Sequence, residues 1–355
     1  MKNKRDKLIC DAGNYADNRN KSAEESGPPG LHGLRDRLWS IILAGGNGER
    51  ISADIHRWMG RSVPKQYCAF VGKRSMLQHT VDRADALSDR DRQLMVVARS
   101  HRAAAESQLA DRSQKNIILQ PKNCDTLAGI YLPLTYVYAR NPEAITVIYP
   151  SDHFIYPEKT FVETIANAIL AAEALPDKLI LVGVPAESLD QDYGWVLPGS
   201  ELWQSGTCLI RAVQLFLEKP SHQEAAAIQA AGGLWNTMII AAQAITLWRL
   251  GWEYFPEIME SFDKLRTAID TPYEDYVLDA IYDSMPKRNF SSDLLTHVTD
   301  HVAVMAMEDV LWSDWGRMER ITETLNRVGK QPNFPRMMQA GGNLSGFNSI
   351  EEKIS

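Results

Sequence analysis

The residues most able to do chemistry lie just after the first apolar run, in Leu43-Ala-Gly-Gly-Asn-Gly-Glu-Arg50. Three glycines within four residues let a backbone turn tightly and bring its N–H groups against an anion. Arg50 then offers a planar fork suited to phosphate oxygens. A plain glycine turn would look the same. A dinucleotide fingerprint does not fit, because the third glycine that packs helix on strand is missing. A P-loop does not fit either, because no Gly-Lys-Ser/Thr follows. Lys65, in Pro64-Lys-Gln66, is a second cation that can neutralise a transferring phosphoryl group. Asp152 stands just past an apolar run ending at Tyr149, where open α/β sheets place their ligands; an N-cap or turn role is the alternative.

The elements that must position these groups follow from periodicity. Short aliphatic runs at 39–43, 94–98, 116–119, 145–149 and 179–184 read as strands. Helical runs at 76–87, 103–111, 127–139 and 161–175 alternate with them; Phe161, Ile165, Ala168, Ile169 and Ala172 share one face of the last. Such alternation predicts an α/β fold: a doubly wound, mostly parallel, Rossmann-like sheet with helices on both faces. Further on, strands at 210–217, 235–241 and 301–307 and helices at 222–231, 244–254 and 273–282 predict a smaller α+β C-terminal portion completing the sheet. Residues 1–36 and 330–355, polar and without apolar period, are expected to be a disordered arm and a flexible tail around a domain at 37–329.

Composition limits the partners. With 38 Lys plus Arg against 45 Asp plus Glu, the formal net charge is −7, which argues against nucleic acid and anionic membranes. No stretch of about 18 apolar residues predicts a membrane helix. Cys10, Cys68, Cys124 and Cys208 are too scattered for a zinc site or a disulfide framework, and no secretory signal is evident, so a cytoplasmic location is expected. A homo-oligomer is compatible with this composition.

Taken together, these pieces resemble the sugar nucleotidyltransferases, and within them the mannose-1-phosphate guanylyltransferases. The glycine-rich loop, Pro64-Lys-Gln66 and Arg74-Ser-Met-Leu-Gln78 are followed in order by Tyr149-Pro-Ser-Asp-His153, Asp192-Tyr-Gly-Trp195, Phe216-Leu-Glu-Lys-Pro220, Leu234-Trp-Asn-Thr237 and Trp312-Ser-Asp-Trp-Gly316. The resemblance implies attack of a sugar-1-phosphate oxygen on the α-phosphorus of a nucleoside triphosphate, with pyrophosphate leaving. GTP and mannose-1-phosphate are the first choice. Another base or hexose, or a non-catalytic nucleotide-sugar-binding regulator, are the alternatives. It also implies roles: Leu43, Ala44, Gly45, Gly46, Gly48, Gln120 and Thr126 for the nucleotide; Arg50, Lys65 and Lys219 as catalytic cations; Gly194, Glu218 and Asn236 for the sugar; and Asp152 and Asp314 for Mg²⁺. Trp195, Trp235, Trp312 and Trp315 are expected in the core beside the cleft rather than stacked on sugar.

The chain departs from the family pattern at defined places. Glu49 replaces a small hydroxyl residue, and a longer loop, Ile51 to Gly60, precedes Lys65. Gln120 replaces a glutamate suited to the two donors of guanine; its amide donates as well as accepts, so it discriminates less between bases. Cys124 and Asp125 replace Arg and Asn, and Met238 replaces a glycine, which predicts a narrower sugar pocket.

Overall fold

The computed structural model describes residues 30–335 and Met338. Its centre is a nine-stranded sheet built from β1 (Leu38–Ala44), β2 (Gln93–Ala98), β3 (Ile117–Gln120), β4 (Ile145–Pro150), β6 (Leu179–Pro185), β7 (Gly194–Ser205), β8 (Cys208–Glu218), β9 (Leu234–Gln243) and β10 (Val302–Ala306). The remaining strands, β5 (Phe154–Tyr156) and β11 (Leu311–Ser313), pair antiparallel beside it. The spatial order is β3-β2-β1-β4-β9-β6-β10-β8-β7. Within the sheet only β8 and β9 run against the common direction, so the expected mostly parallel α/β architecture is what forms.

Ten helices accompany it: α1 (Ser52–Met59), α2 (Met76–Asp85), α3 (Arg102–Gln108), α4 (Asp125–Arg140), α5 (Glu158–Ala174), α6 (His222–Ala230), α7 (Ala244–Tyr254), α8 (Pro256–Ala268), α9 (Glu274–Asp283) and α10 (Met318–Arg327), counted among the described residues. The period-two alternation of a strand sends neighbours to opposite faces. Ile41, Leu94, Val96 and Ile148 therefore join a core with α4, α7, α8 and α9. Ile42, Met95, Val97 and Val147 join a second core with α2 and α5. The motif Arg74-Ser-Met-Leu-Gln78 opens α2 with a capping box, Ser75 Oγ accepting from Gln78 N–H and Gln78 Oε1 from Ser75 N–H.

A third cluster holds the small sheet against the rest. Phe154 stacks on Trp315 at 4.6 Å, and Ile51, Ile55, Phe70, Met318, Ile321 and Leu325 close around them. The four tryptophans are buried, as expected. Leu31 is also buried in the second core, so residues 30–36 belong to the folded unit; residues 1–29 of the expected arm lie outside the described residues. At the other end Phe334 is buried and Asn333 Nδ2 donates to the carbonyls of Ala69 and Gly72, so the folded unit runs past 329. No helix among the described residues is long and apolar enough to cross a membrane.

The helical layer is packed without slack. A Cβ on Gly251 of α7 would stand 2.5 Å from Tyr131 Cε1 and 2.6 Å from Met259 Sδ. Gly251→Ala is expected to destabilise the fold by about 1–3 kcal/mol through overpacking, read as a lower denaturant midpoint at unchanged slope.

Candidate functional site

The loop after β1 turns at Gly48, whose φ is +63°. Gln66 clamps it: its Nε2 donates to the carbonyls of Ala44 at 2.9 Å and Gly46 at 2.8 Å. Ser151, at the end of β4, ties the same loop from the other side, donating from its N–H and Oγ to the Leu43 carbonyl. The glycine loop is thus anchored at both flanks, leaving Asn47, Gly48, Glu49 and Arg50 along an open cleft of about 490 Å³.

Four cations reach this cleft: Arg50, Lys65, Lys219 and Lys287. Glu49, Asp125 and Asp152 are the carboxylates that line it. Lys65 is only 3 % exposed, yet its Nζ lies 2.7 Å from Asp152 Oδ2 and also donates to the Asp314 carbonyl. Arg50 Nη2 donates to Asp314 Oδ2 at 2.7 Å, and its other arm lies 3.9 Å from Asp192. Burial by itself raises a carboxyl's pKa, but Lys65 and His153 outweigh it at Asp152 and hold that group below the ordinary value. At Asp314 burial is likewise outweighed, by Arg320, Lys65 and Arg50, and the carboxyl stays ionised far into acid.

The groups expected at a sugar form a second knot next to Lys219. Gly194 and Glu218 are register partners across β7 and β8. A Cβ on Gly194 would meet Glu218 Oε2 at 2.8 Å and Asn236 Cβ at 3.4 Å, so all three residues are in contact range. Burial raises the Glu218 carboxyl. Lys219 itself has φ +51°, a sparsely occupied conformation that carries it out of the β8 ladder. Its N–H donates to the Tyr193 carbonyl at 3.2 Å.

Several expectations change in detail. Asn236 is committed internally: Oδ1 accepts Met238 N–H at 3.1 Å, and Nδ2 faces Met238 Sδ at 3.4 Å. Met238 lies in a bulge where the β6–β9 register slips between Val182 and Gly183, and its φ is +58°. That conformation is one glycine adopts freely, which accounts for the strain that a side chain carries here. Thr126 is exposed, does not line the cleft, and spends its Oγ1 on Phe290 N–H at 2.8 Å. Gln120 is buried at the end of β3, with Oε1 at 3.0 Å from the place a Gly45 Cβ would take. Cys124 is buried with its Sγ toward the Met285 carbonyl, whereas Asp125 projects into the cleft.

The two aspartates expected at Mg²⁺ are near each other, but not as a free pair. Asp152 is paired with Lys65, and Asp314 with Arg50 and Arg320. Asp314 is buried and does not line the cleft. Among the described residues no group of three or more His, Cys, Asp and Glu is arranged to hold a metal. These residues therefore do not fit an ion held between two free carboxylates.

Sequence reading gave Gln66 and Tyr193 no role of their own, although both stand in quoted motifs, and it missed Asn123, Lys287 and Arg320. Asn123 stands in the Gln120–Thr126 segment without an assigned role, Lys287 comes from a connecting segment that carries no motif, and the tertiary fold brings both to the cleft. Arg320 lies on α10, outside every motif quoted above. It bonds Asp314, Asp190 and the Tyr193 hydroxyl.

Comparison with known proteins bears on the family and the fold. The profile of the family described as Nucleotidyl transferase matches residues 39–331. A mannose-1-phosphate guanylyltransferase of Escherichia coli is 28% identical over 297 residues, covering 81% of this chain and 61% of the relative. The alginate biosynthesis protein AlgA of Pseudomonas fluorescens is 28% identical over 203 residues, covering 56% of this chain and 40% of AlgA. The chain thus spans less than two thirds of the length of these relatives. Among solved structures, one described as a mannose-1-phosphate geranyltransferase from Thermus thermophilus superposes with a TM-score of 0.69 at 22% identity, covering 81% of this chain and 79% of its own. That likeness speaks for the fold. With the profile running through nearly the whole described unit, the chain belongs to the nucleotidyl transferase family.

Proposed function

We propose that the protein joins a nucleoside triphosphate to a sugar-1-phosphate, giving a nucleotide-diphospho-sugar and pyrophosphate. The observation that carries this reading is the meeting of Arg50, Lys65, Lys219 and Lys287 with the Gly48 turn on one cleft. Two polyanions must be brought together there, which is unfavourable without counter-charge. The sugar phosphate oxygen forms the new P–O bond at the α-phosphorus, and the bond to the pyrophosphate leaving group breaks. Arg50 and Lys65 neutralise the charge that collects on the departing pyrophosphate, while Lys219 holds the attacking phosphate. Gly194 lets the backbone approach the sugar, and Glu218 accepts from its hydroxyls. Catalysis then rests on position and field, with no covalent enzyme intermediate.

GTP and mannose-1-phosphate are the substrates we favour, supported by the name of the Escherichia coli relative. Pyrophosphate release with each of the common nucleoside triphosphates against a panel of hexose-1-phosphates tests the reading. Release that requires both substrates, one pyrophosphate per nucleotide sugar, is expected. Tight nucleotide-sugar binding without release for any pair would replace it with a regulatory binding role. Lys219→Ala is expected to raise KM for the sugar phosphate about tenfold or more, with a smaller change in KM for the nucleotide, because a charged hydrogen bond to one substrate is lost.

A further inference from the structure

We propose that Asp314 is not a ligand for a divalent ion in this chain. It is the fixed anion on which three cations are aligned, and Arg320 makes it so. Asp314 Oδ1 accepts from the Tyr193 hydroxyl at 2.9 Å, from Gly316 N–H at 3.2 Å, and from Arg320 Nη1. Oδ2 takes Arg50 at 2.7 Å, and the main-chain carbonyl takes Lys65. A carboxylate offers about four lone-pair sites, so little capacity is left for an ion.

Arg320 cannot readily give way. Its side chain is 16% exposed, its other arm is paired with Asp190 at 15%, and its guanidinium sits 4.9 Å over the Tyr193 ring. Met318, Ile321 and Leu325 bury the opposite face of α10 and set its rotation. An ion arriving at Oδ1 would displace a guanidinium that Asp190 and the Tyr193 ring also hold in place. Arg50, at 54% exposed, lines the cleft with its Nη2 on Asp314 Oδ2, so it faces an incoming phosphate without leaving the carboxylate.

Asp152 is paired through Oδ2 with Lys65 alone, at 2.7 Å, and keeps its other oxygen more open. It is 36% exposed, lines the cleft, and its Oδ1 has His153 as its nearest ionic neighbour, at 3.7 Å. Mg²⁺ is satisfied by one or two carboxylates together with phosphate oxygens and water. The protein's share of the ion is then Asp152, and the role of Asp314 is to hold Arg50 and Lys65 in register as a positioning residue.

The inference rests on the nucleotidyl-transfer reading only for which ion matters, and its test needs no turnover. Mn²⁺ is titrated against the full chain, alone and with inorganic pyrophosphate, and free Mn²⁺ is followed by electron paramagnetic resonance. Asp152→Asn is expected to weaken binding about tenfold or more, whereas Asp314→Asn stays within about twofold. Arg320→Ala is expected to strengthen binding about tenfold, because it opens Asp314; if the unaltered chain binds no Mn²⁺ alone, this variant gains binding. Equal losses in Asp152→Asn and Asp314→Asn, or an unchanged affinity in Arg320→Ala, would overturn the proposal. Circular dichroism reports whether each variant folds, and if Asp314→Asn does not, the Arg320→Ala titration decides by itself.

Discussion

Lys65→Met is expected to lower kcat/KM for the proposed pyrophosphate release about 10²–10³-fold, the range seen when one preorganised donor is removed from a transition state, ~2.7–4 kcal/mol. The expectation follows from where Nζ is held. Lys65 is among the most buried charged side chains of the described residues, and it is held between Asp152 Oδ2 and the Asp314 carbonyl. A cation fixed in that way needs no reorganisation when charge develops beside it. The same substitution leaves Asp152 unpaired, so thermal stability also falls. The double variant Lys65→Met with Asp152→Asn isolates the stability part: the melting temperature is expected to recover, because no carboxylate is left without its lysine. A rate within tenfold of the unaltered enzyme for Lys65→Met would remove this lysine from the chemistry.

Gly48→Ala is the second large effect, and it works through the same lysine without touching its charge. A Cβ at position 48 would stand 2.9 Å from Lys65 Cβ and 3.2 Å from Lys65 N, at a φ of +63° that L side chains rarely adopt. Both the loop and the lysine backbone must move. Displacement by about 1 Å of a group aligned on a reacting centre costs about 10²-fold in rate. The signature is a fall in kcat with a small change in the affinity for either substrate, measured by turnover together with equilibrium binding. A variant with unchanged kcat would show that the loop and Lys65 tolerate independent positions.

Much of this was legible in the sequence, and the reasons differ residue by residue. Strands such as β1 and β4 are buried on both faces, so they appear as bare aliphatic runs. The glycine loop declares itself because a turn that presents N–H groups has few other residue choices. β7 did not announce itself as a strand: Pro198, Gly199 and its exposed polar half hide the period, and pairing with β8 across several register shifts holds it together. The placement of β9 between β4 and β6 is invisible locally, because an antiparallel partner in mid-sheet is chosen by the whole fold. In the site, Arg50, Lys65, Asp152 and Lys219 sit beside turns or strand ends with motif residues around them. Lys287 and Arg320 have no such neighbours, and their roles come from what the third dimension brings within reach. Asn236 shows the reverse error. Its type suited a sugar hydroxyl, but the bulge that carries Met238 has already claimed its amide.

The position of β9 has a consequence for how the molecule is made. β4 and β6, close in sequence, are not partners; each waits for residues 234–243 to fill the gap between them. During synthesis the nascent segment through β6 therefore carries unpaired edges that no local hairpin can satisfy. The chain must leave the ribosome well past Gln243 before the middle of the sheet can close, and β10, which docks β8 and so Lys219, follows later still. Chaperone dependence of the newborn chain, and aggregation of products truncated between 185 and 234, follow from this single strand.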